Sequence, residues 1–207
     1  MKRIWLIRHG RPDYGTPEPR CIGITDVPLS REGEMEMLRL GLRAAEQERE
    51  FLKSACFYTS PLERAVSSGK AFLKGAGLPD AELTAFHDLM EVNLGTWDGL
   101  SFREIREAFP EEYRMRGEHP GTFRTPGGET LEEAGRRFLK AVRKLSAGTE
   151  SNLVIFGHSG AVRAGLCALE NISADSYRNL PQPFGGVTEL NYDSENGSLI
   201  FLGRVFI

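Results

Sequence analysis

The stretch Lys2-Arg3-Ile4-Trp5-Leu6-Ile7-Arg8-His9-Gly10 decides how the rest of the chain is read. Ile4 to Ile7 form a short, continuous apolar run that stops abruptly at Arg8-His9-Gly10. A run without polar alternation suits a strand buried on both faces, as in a parallel sheet covered by helices. In open sheets of that kind ligands sit beyond the carboxyl ends of the strands. Arg8, His9 and Gly10 therefore stand where a site is expected. Leu153 to Phe156 repeats the pattern, an apolar run followed by Gly157-His158-Ser159-Gly160, so two of the four histidines share this kind of address.

Working outward, residues 11–28 carry Pro12, Pro17, Pro19 and Pro28 and predict a long loop. Ser30 is a helix N-cap, and Met35, Leu38, Leu42 and Ala45 fall at helical spacing in a helix reaching about Arg49. Ala55 to Thr59 predicts a second strand, ending at Ser60-Pro61. Leu62 to Leu73 predicts a helix stopped near Gly75 and Gly77, and Leu83 to Phe86 a short third strand. Residues 100–126 are dense in Arg and Glu, with Phe102, Ile105, Phe109 and Tyr113 spaced as helix faces, and predict an insertion over one end of the sheet. Thr130 to Leu145 and Ala161 to Leu169 predict helices. Val187 to Tyr192 and Leu199 to Phe206 predict two strands joined by a turn at Glu195-Asn196-Gly197. Strands alternating with helices predict an α/β fold, a three-layer sandwich, in one domain over residues 1–207.

Composition narrows the function classes. Apolar residues at 40% and charged residues at 27% can bury a real core, which excludes a disordered chain. A net charge of −3 supplies no global basic field, so no nucleic-acid partner is expected and an anion site must be built locally. Cys21, Cys56 and Cys167 are scattered and odd in number, with no Cys-x-x-Cys, which points away from a disulfide framework and towards a reducing compartment. Ile4 to Ile7 is too short for a signal segment, and no run approaches a membrane span, so a cytoplasmic protein with no membrane partner is expected. Oligomeric state is not readable: the apolar end from Leu199 to Ile207 suits a core strand and an exposed edge equally.

Arg-His-Gly alone arises by chance in about a per cent or two of chains this long, and a satisfied turn histidine is the plain alternative for His9. The surroundings add weight. Ser60-Pro61-Leu62-Glu63-Arg64-Ala65 places Arg64 one turn into a helix that follows a strand. There the helix N-terminus offers N–H groups to an anion and a guanidinium adds a fork for phosphate oxygens. Glu91 opens a loop ending in Gly95-Thr96-Trp97-Asp98-Gly99, and a carboxyl group is the proton donor that a departing alkoxide needs. A surface arginine and a solvated acidic loop are the corresponding plain readings.

Taken together the blocks resemble the histidine phosphatase superfamily, with its phosphoglycerate mutase-like fold. They are Arg8-His9-Gly10, Arg20 to Ser30, Ser60 to Ala65, Glu91 with Gly95 to Gly99, Pro126-Gly127-Gly128-Glu129-Thr130 and Gly157 to Gly160, in family order across nearly the whole chain. The resemblance implies a mostly parallel central sheet in an α/β/α sandwich, with a small helical lid at about 100–126. It implies His9 as the nucleophile that becomes phosphohistidine. Arg8, Arg64 and His158 would surround the phosphoryl oxygens, and Glu91 would act as acid and then base. Gly10, Arg11, Arg20, Gly23 and Ser159 would line the substrate. The physics suits these roles: phosphoryl transfer needs positive groups at the equatorial oxygens, so no metal and no cofactor is expected. Neighbouring arginines disfavour protonation of His9 and keep it nucleophilic. A carbonyl bonded to its other ring nitrogen would fix the tautomer.

The family often places Glu or Gln and then Thr after the tripeptide, with Asn a few residues on; here the chain reads Arg11-Pro12-Asp13-Tyr14-Gly15. Arg11 or Arg20 replaces that Asn, or both are ordinary exposed arginines. The block from Arg20 to Ser30 looks most like α-ribazole phosphatase-type small phosphatases, which makes the chain a phosphomonoesterase of a small phosphorylated metabolite, with α-ribazole phosphate a candidate. The alternatives are phosphoglycerate mutase-type transfer, disfavoured by the compact length, and an inactive phosphate-ester binding protein, disfavoured because all five site residues are present. A zinc hydrolase is weaker still, since His9, His87, His119 and His158 lack ligand spacing. Tyr113, Arg116, His119 and Arg124 are the lid's candidates for contacting the leaving group.

Overall fold

In the computed structural model, which describes residues 1–149 and 151–205, the chain runs as follows. First come β1 (Lys2–Arg8), α1 (Arg31–Gln47), α2 (Arg49–Lys53), β2 (Ala55–Thr59), α3 (Glu63–Gly75) and β3 (Leu83–Ala85). Then come α4 (Phe102–Ala108), α5 (Pro110–Glu118), α6 (Leu131–Ala147), β4 (Asn152–Gly157), α7 (Ser159–Leu169), β5 (Val187–Tyr192) and β6 (Leu199–Val205). Phe206 and Ile207, at the end of the predicted last strand, lie outside the described residues. The strands make one sheet in the order β3-β2-β4-β1-β5-β6. The first four are mutually parallel, and β5 runs antiparallel to both β1 and β6.

Successive side chains of a strand point to opposite faces, and β1 shows what that does here. Ile4 and Leu6 join a cluster with Phe138, Val142, Val162 and Leu166 of α6 and α7. Trp5 and Ile7 join the opposite cluster with Met37, Leu40 and Phe72 of α1 and α3. The apolar run of β1 thus feeds two cores at once, which is why it carries no polar residue. A third cluster sits beside the sheet. Trp97 is its centre, with Phe109, Tyr113 and Phe123 ring-to-ring at 6.1, 6.4 and 5.5 Å, and it roots α4 and α5 to the body. Ser101 and Thr130 open α4 and α6 with full capping boxes.

One helix face differs from its prediction. Met35 and Leu42 of α1 are exposed, and the buried stripe is Gly33, Met37, Leu40, Gly41 and Ala44. The cause is close backbone approach to α3. A Cβ on Gly41 would meet the Phe72 carbonyl oxygen at 2.1 Å, and one on Gly75 would meet that of Leu38 at 2.0 Å. Gly41 and Gly75 set this interface, which turns the helix so that Met37 and Leu40 face the core and Met35 and Leu42 face out. Among the described residues no helix is long and apolar enough to cross a membrane.

Candidate active site

β1 and β4 are hydrogen-bonded neighbours with Arg8 opposite Gly157, so the residues that follow them emerge side by side. The His9 N–H donates to the Gly157 carbonyl at 3.0 Å. The two imidazoles lie edge to face with centroids 5.2 Å apart, and His9 and His158 are only 4% and 0% exposed. Nδ1 of His9 lies 2.7 Å from the Gly10 carbonyl oxygen. A carbonyl can only accept, so Nδ1 carries the proton and Nε2 keeps its lone pair. Burial lowers the His9 pKa to about 3, with the Gly10 carbonyl opposing and Arg64 and Arg8 adding. Burial thus outranks the arginines as the cause. It also holds His158 well below its ordinary value. Gly10 must be a glycine: a Cβ would sit 2.5 Å from the Gly33 carbonyl oxygen, and its N–H donates to Ser68 Oγ at 3.0 Å.

Arg64, buried on the first turn of α3, donates from Nη1 to the Thr25 carbonyl and from Nη2 to the Gly23 carbonyl, at 2.9 and 2.6 Å. A guanidinium has five N–H donors, so this grip orients the group and leaves donors over. The carbonyls are themselves held: the Asp98 carboxylate accepts from the N–H groups of Gly23, Ile24 and Thr25 at 2.9, 2.7 and 3.0 Å. Arg8 donates from Nη1 to the Gln182 carbonyl at 2.7 Å and lies over the Phe184 ring at 3.8 Å. Phe184 also faces the His9 ring, at 5.7 Å. Gln182 and Phe184 reach this place because β5 is antiparallel, which puts its leading loop at the carboxyl ends of β1 and β4.

Glu91 sits at the start of α7. Its carboxylate accepts from Gly160 N–H at 3.0 Å, and from Ala161 and Val92 N–H at 2.8 and 2.9 Å. Its segment is anchored by Arg137, which donates to the carbonyls of Asp88, Met90 and Glu91 and pairs with Glu129 at 2.6 Å. Several buried polar atoms without a partner lie here: Arg8 Nε, both ring nitrogens of His158, Ser159 Oγ and Arg163 Nε. Each such group costs about 1–3 kcal/mol if nothing meets it, so the cluster is matched to a ligand with several acceptor oxygens.

The structure brings Arg8, His9, Gly10, Arg64, Glu91, His158 and Ser159 to this end of the sheet, with Gly23 behind Arg64. Arg11 and Arg20 stand further out. Arg11 is half-exposed, pairs with Glu32 at 3.3 Å and lies over the Phe184 ring, 5.4 Å from its centroid. Arg20 donates to the Gly99 carbonyl at 2.7 Å and lines a cavity of about 300 Å³ that also touches Glu91, Ser159 and Gly160. Of the lid candidates, Arg116 lines the same cavity, Tyr113 packs on Trp97, Arg124 pairs with Glu133, and His119 is exposed. His87 is exposed as well. Among the described residues no three His, Cys, Asp or Glu side chains gather as a metal-binding group. Phe184, Gln182, Ser68, Thr25 and Arg163 take part without having been singled out. The one cue for Phe184 is an aromatic between Pro183 and Gly185-Gly186 just before an apolar strand.

A family model described as the histidine phosphatase superfamily (branch 1) matches residues 4–204. Among curated relatives, phosphoserine phosphatase 1 of Hydrogenobacter thermophilus is 29% identical over 86% of this chain and 80% of its own length. The 2,3-bisphosphoglycerate-dependent phosphoglycerate mutase 2 of Gloeobacter violaceus is 30% identical over 84% of this chain and 78% of its own. The α-ribazole phosphatase from Shigella flexneri superposes with a TM-score of 0.81 at 19% identity, covering 98% of this chain and 95% of that one.

Proposed function

Because the chain belongs to the histidine phosphatase superfamily and is a phosphomonoesterase, we propose that His9 carries the phosphoryl group of a small phosphorylated metabolite between two steps. In the first, His9 Nε2 attacks phosphorus, the P–O ester bond breaks, and Glu91 delivers a proton to the leaving oxygen. In the second, Glu91 takes a proton from water as that water attacks the phosphohistidine, and the N–P bond breaks to return neutral His9 and inorganic phosphate. Splitting one displacement into two is the gain from covalent catalysis, and Glu91 acts as acid and then base. Arg8, Arg64 and His158 hold the equatorial oxygens, which is most of what phosphoryl transfer asks of a protein. The observation that carries this reading is the gathering of buried, unpartnered donors around an imidazole whose Nε2 lone pair is free.

We read residues 1–207 as one domain, with 100–126 as a lid rooted on Trp97, and a reducing, cytoplasmic location on the three free cysteines. Turnover of p-nitrophenyl phosphate by wild type and His9→Ala tests the mechanism. His9→Ala is expected to lose on the order of 10⁴-fold or more in kcat, and acid-quenched wild type to carry a phosphate label that the variant lacks. Equal rates would overturn the covalent route, and no turnover by wild type would favour a binding protein.

A further inference from the structure

The cavity beside Glu91 is lined by Arg20, Arg116, Arg163 and Arg178, together with Phe102 and Tyr177. The arginines come from separate parts of the chain: the loop before α1, α5, α7 and the 3-10 turn Ala174–Asn179. What distinguishes them is convergence on one wall, and several arginines elsewhere are neutralised. Arg103, Arg114, Arg124 and Arg136 each pair with a glutamate. Among the described residues, Arg116, Arg163 and Arg178 have no carboxylate at ion-pair distance, and Arg20 has only Glu104, at 3.8 Å. Arg163 stands one helical turn beyond Ser159, and its Nε is buried with no hydrogen-bond partner. Arg178 is held against Tyr177, whose hydroxyl lies 3.2 Å from its Nε. Glu91 is the single acid on the cavity wall, and its carboxylate is already taken up by the N–H groups of Val92, Gly160 and Ala161.

Guanidiniums gathered in one cavity repel one another and leave donor forks unfilled, and both costs vanish when an anion enters. We propose that this cavity is a subsite for a second anionic group. The substrate is then a phosphomonoester whose leaving alcohol carries a carboxylate or a second phosphate, and a neutral leaving group such as a nucleoside leaves the arginines unmet. Because Glu91 lines the same cavity, the second anion lies on the leaving-group side of the ester. This rests on the phosphatase reading above, in which Glu91 protonates the leaving oxygen.

The test is kcat/KM at low salt for three esters of one carbon skeleton: glycerol 3-phosphate, 3-phosphoglycerate and glycerol 1,3-bisphosphate, with p-nitrophenyl phosphate as reference. At least one of the two esters with an extra anion is expected to exceed glycerol 3-phosphate by about tenfold or more. Which of the two gains names the anion. The ratio is expected to fall towards one in Arg163→Gln and, on the more exposed α5, in Arg116→Gln. Titration of the same esters into His9→Ala reads the ratio as binding, independent of turnover. Ratios near one in wild-type kinetics and in titration overturn the subsite. Failure to turn over p-nitrophenyl phosphate with a binding ratio of tenfold overturns the phosphatase reading and leaves the subsite standing.

Discussion

At the carboxyl ends of β1 and β4, His9, His158 and Arg64 are buried, and Nδ1 of His9 and the Arg64 guanidinium are gripped by backbone carbonyls. In the cavity beside Glu91 and Ser159, the mouth next to this floor, Arg116 and Arg178 stand on short elements with no such grip. The floor is specified by strand register and burial, so its geometry is a property of the fold. The mouth is specified by individual side chains, each replaceable without disturbing the sheet. This division lets one scaffold keep its chemistry while the group it selects varies, in line with sites being grafted on folds.

Four measurements break or sharpen that comparison. The largest effect is expected from Glu91→Gln, which removes the proposed proton donor and keeps its shape. Alkyl phosphates should slow by about 10²–10³ and p-nitrophenyl phosphate by much less; a uniform loss would assign Glu91 to the mouth as a binding group.

Next is acid. His9 has an ordinary pKa of 6.5 and a folded value of about 3. Between these values the unfolded chain holds a proton that the folded chain lacks, so the stability from neutral, buried His9 is complete above 6.5 and drains as the pH falls. At 1.36 kcal/mol per unit, wild type should lose about 3 kcal/mol between pH 6.5 and 4 from this group. Urea unfolding of wild type and His9→Asn checks it, and parallel pH dependences would refute it.

Asp98→Ala comes third. It frees the N–H groups of Gly23, Ile24 and Thr25 and loosens the carbonyls that hold Arg64, so kcat/KM for every ester should drop together, by about 10-fold to 10²-fold. A drop confined to anionic esters would place Asp98 with the mouth. The smallest effect belongs to Ser101→Ala at the N-cap of α4. It should cost about 1 kcal/mol in unfolding free energy and leave p-nitrophenyl phosphate turnover unchanged, since the lid's root is separate from the floor. Loss of turnover comparable to Asp98→Ala would show that the two regions are mechanically one.

The floor was the more legible region. β1, β2 and β4 announce themselves as apolar runs because both faces of a central strand are buried, and His9, Arg64 and His158 stand directly after strands or at a helix start. The face of α1 was misleading because Gly41 and Gly75 make the contact, and hydrophobic periodicity weighs side chains rather than their absence. Phe184 and Gln182 were hidden for a topological reason. Their place beside Arg8 depends on β5 entering the sheet against β1, and a strand's direction leaves no mark on its own residues. Of the cavity arginines, Arg20 and Arg116 were singled out, whereas Arg163 and Arg178 were hidden because a guanidinium on a wall and one in solvent look alike until the elements around them are assembled.

The placement of β1 has a consequence for how the protein is made. Its two hydrogen-bonding neighbours are β4 and β5, roughly 150 and 185 residues later in the chain. At synthesis rates of about 5–20 residues per second, Ile4-Trp5-Leu6-Ile7 leaves the ribosome roughly 8–30 s before either partner exists. During that interval one of the most apolar segments of the chain has neither edge paired, and its Ile4 and Leu6 face still lacks the α6 and α7 side chains that cover it. β1, which leads into His9, therefore waits longer for its edge partners than β2, whose neighbour β3 follows directly after α3.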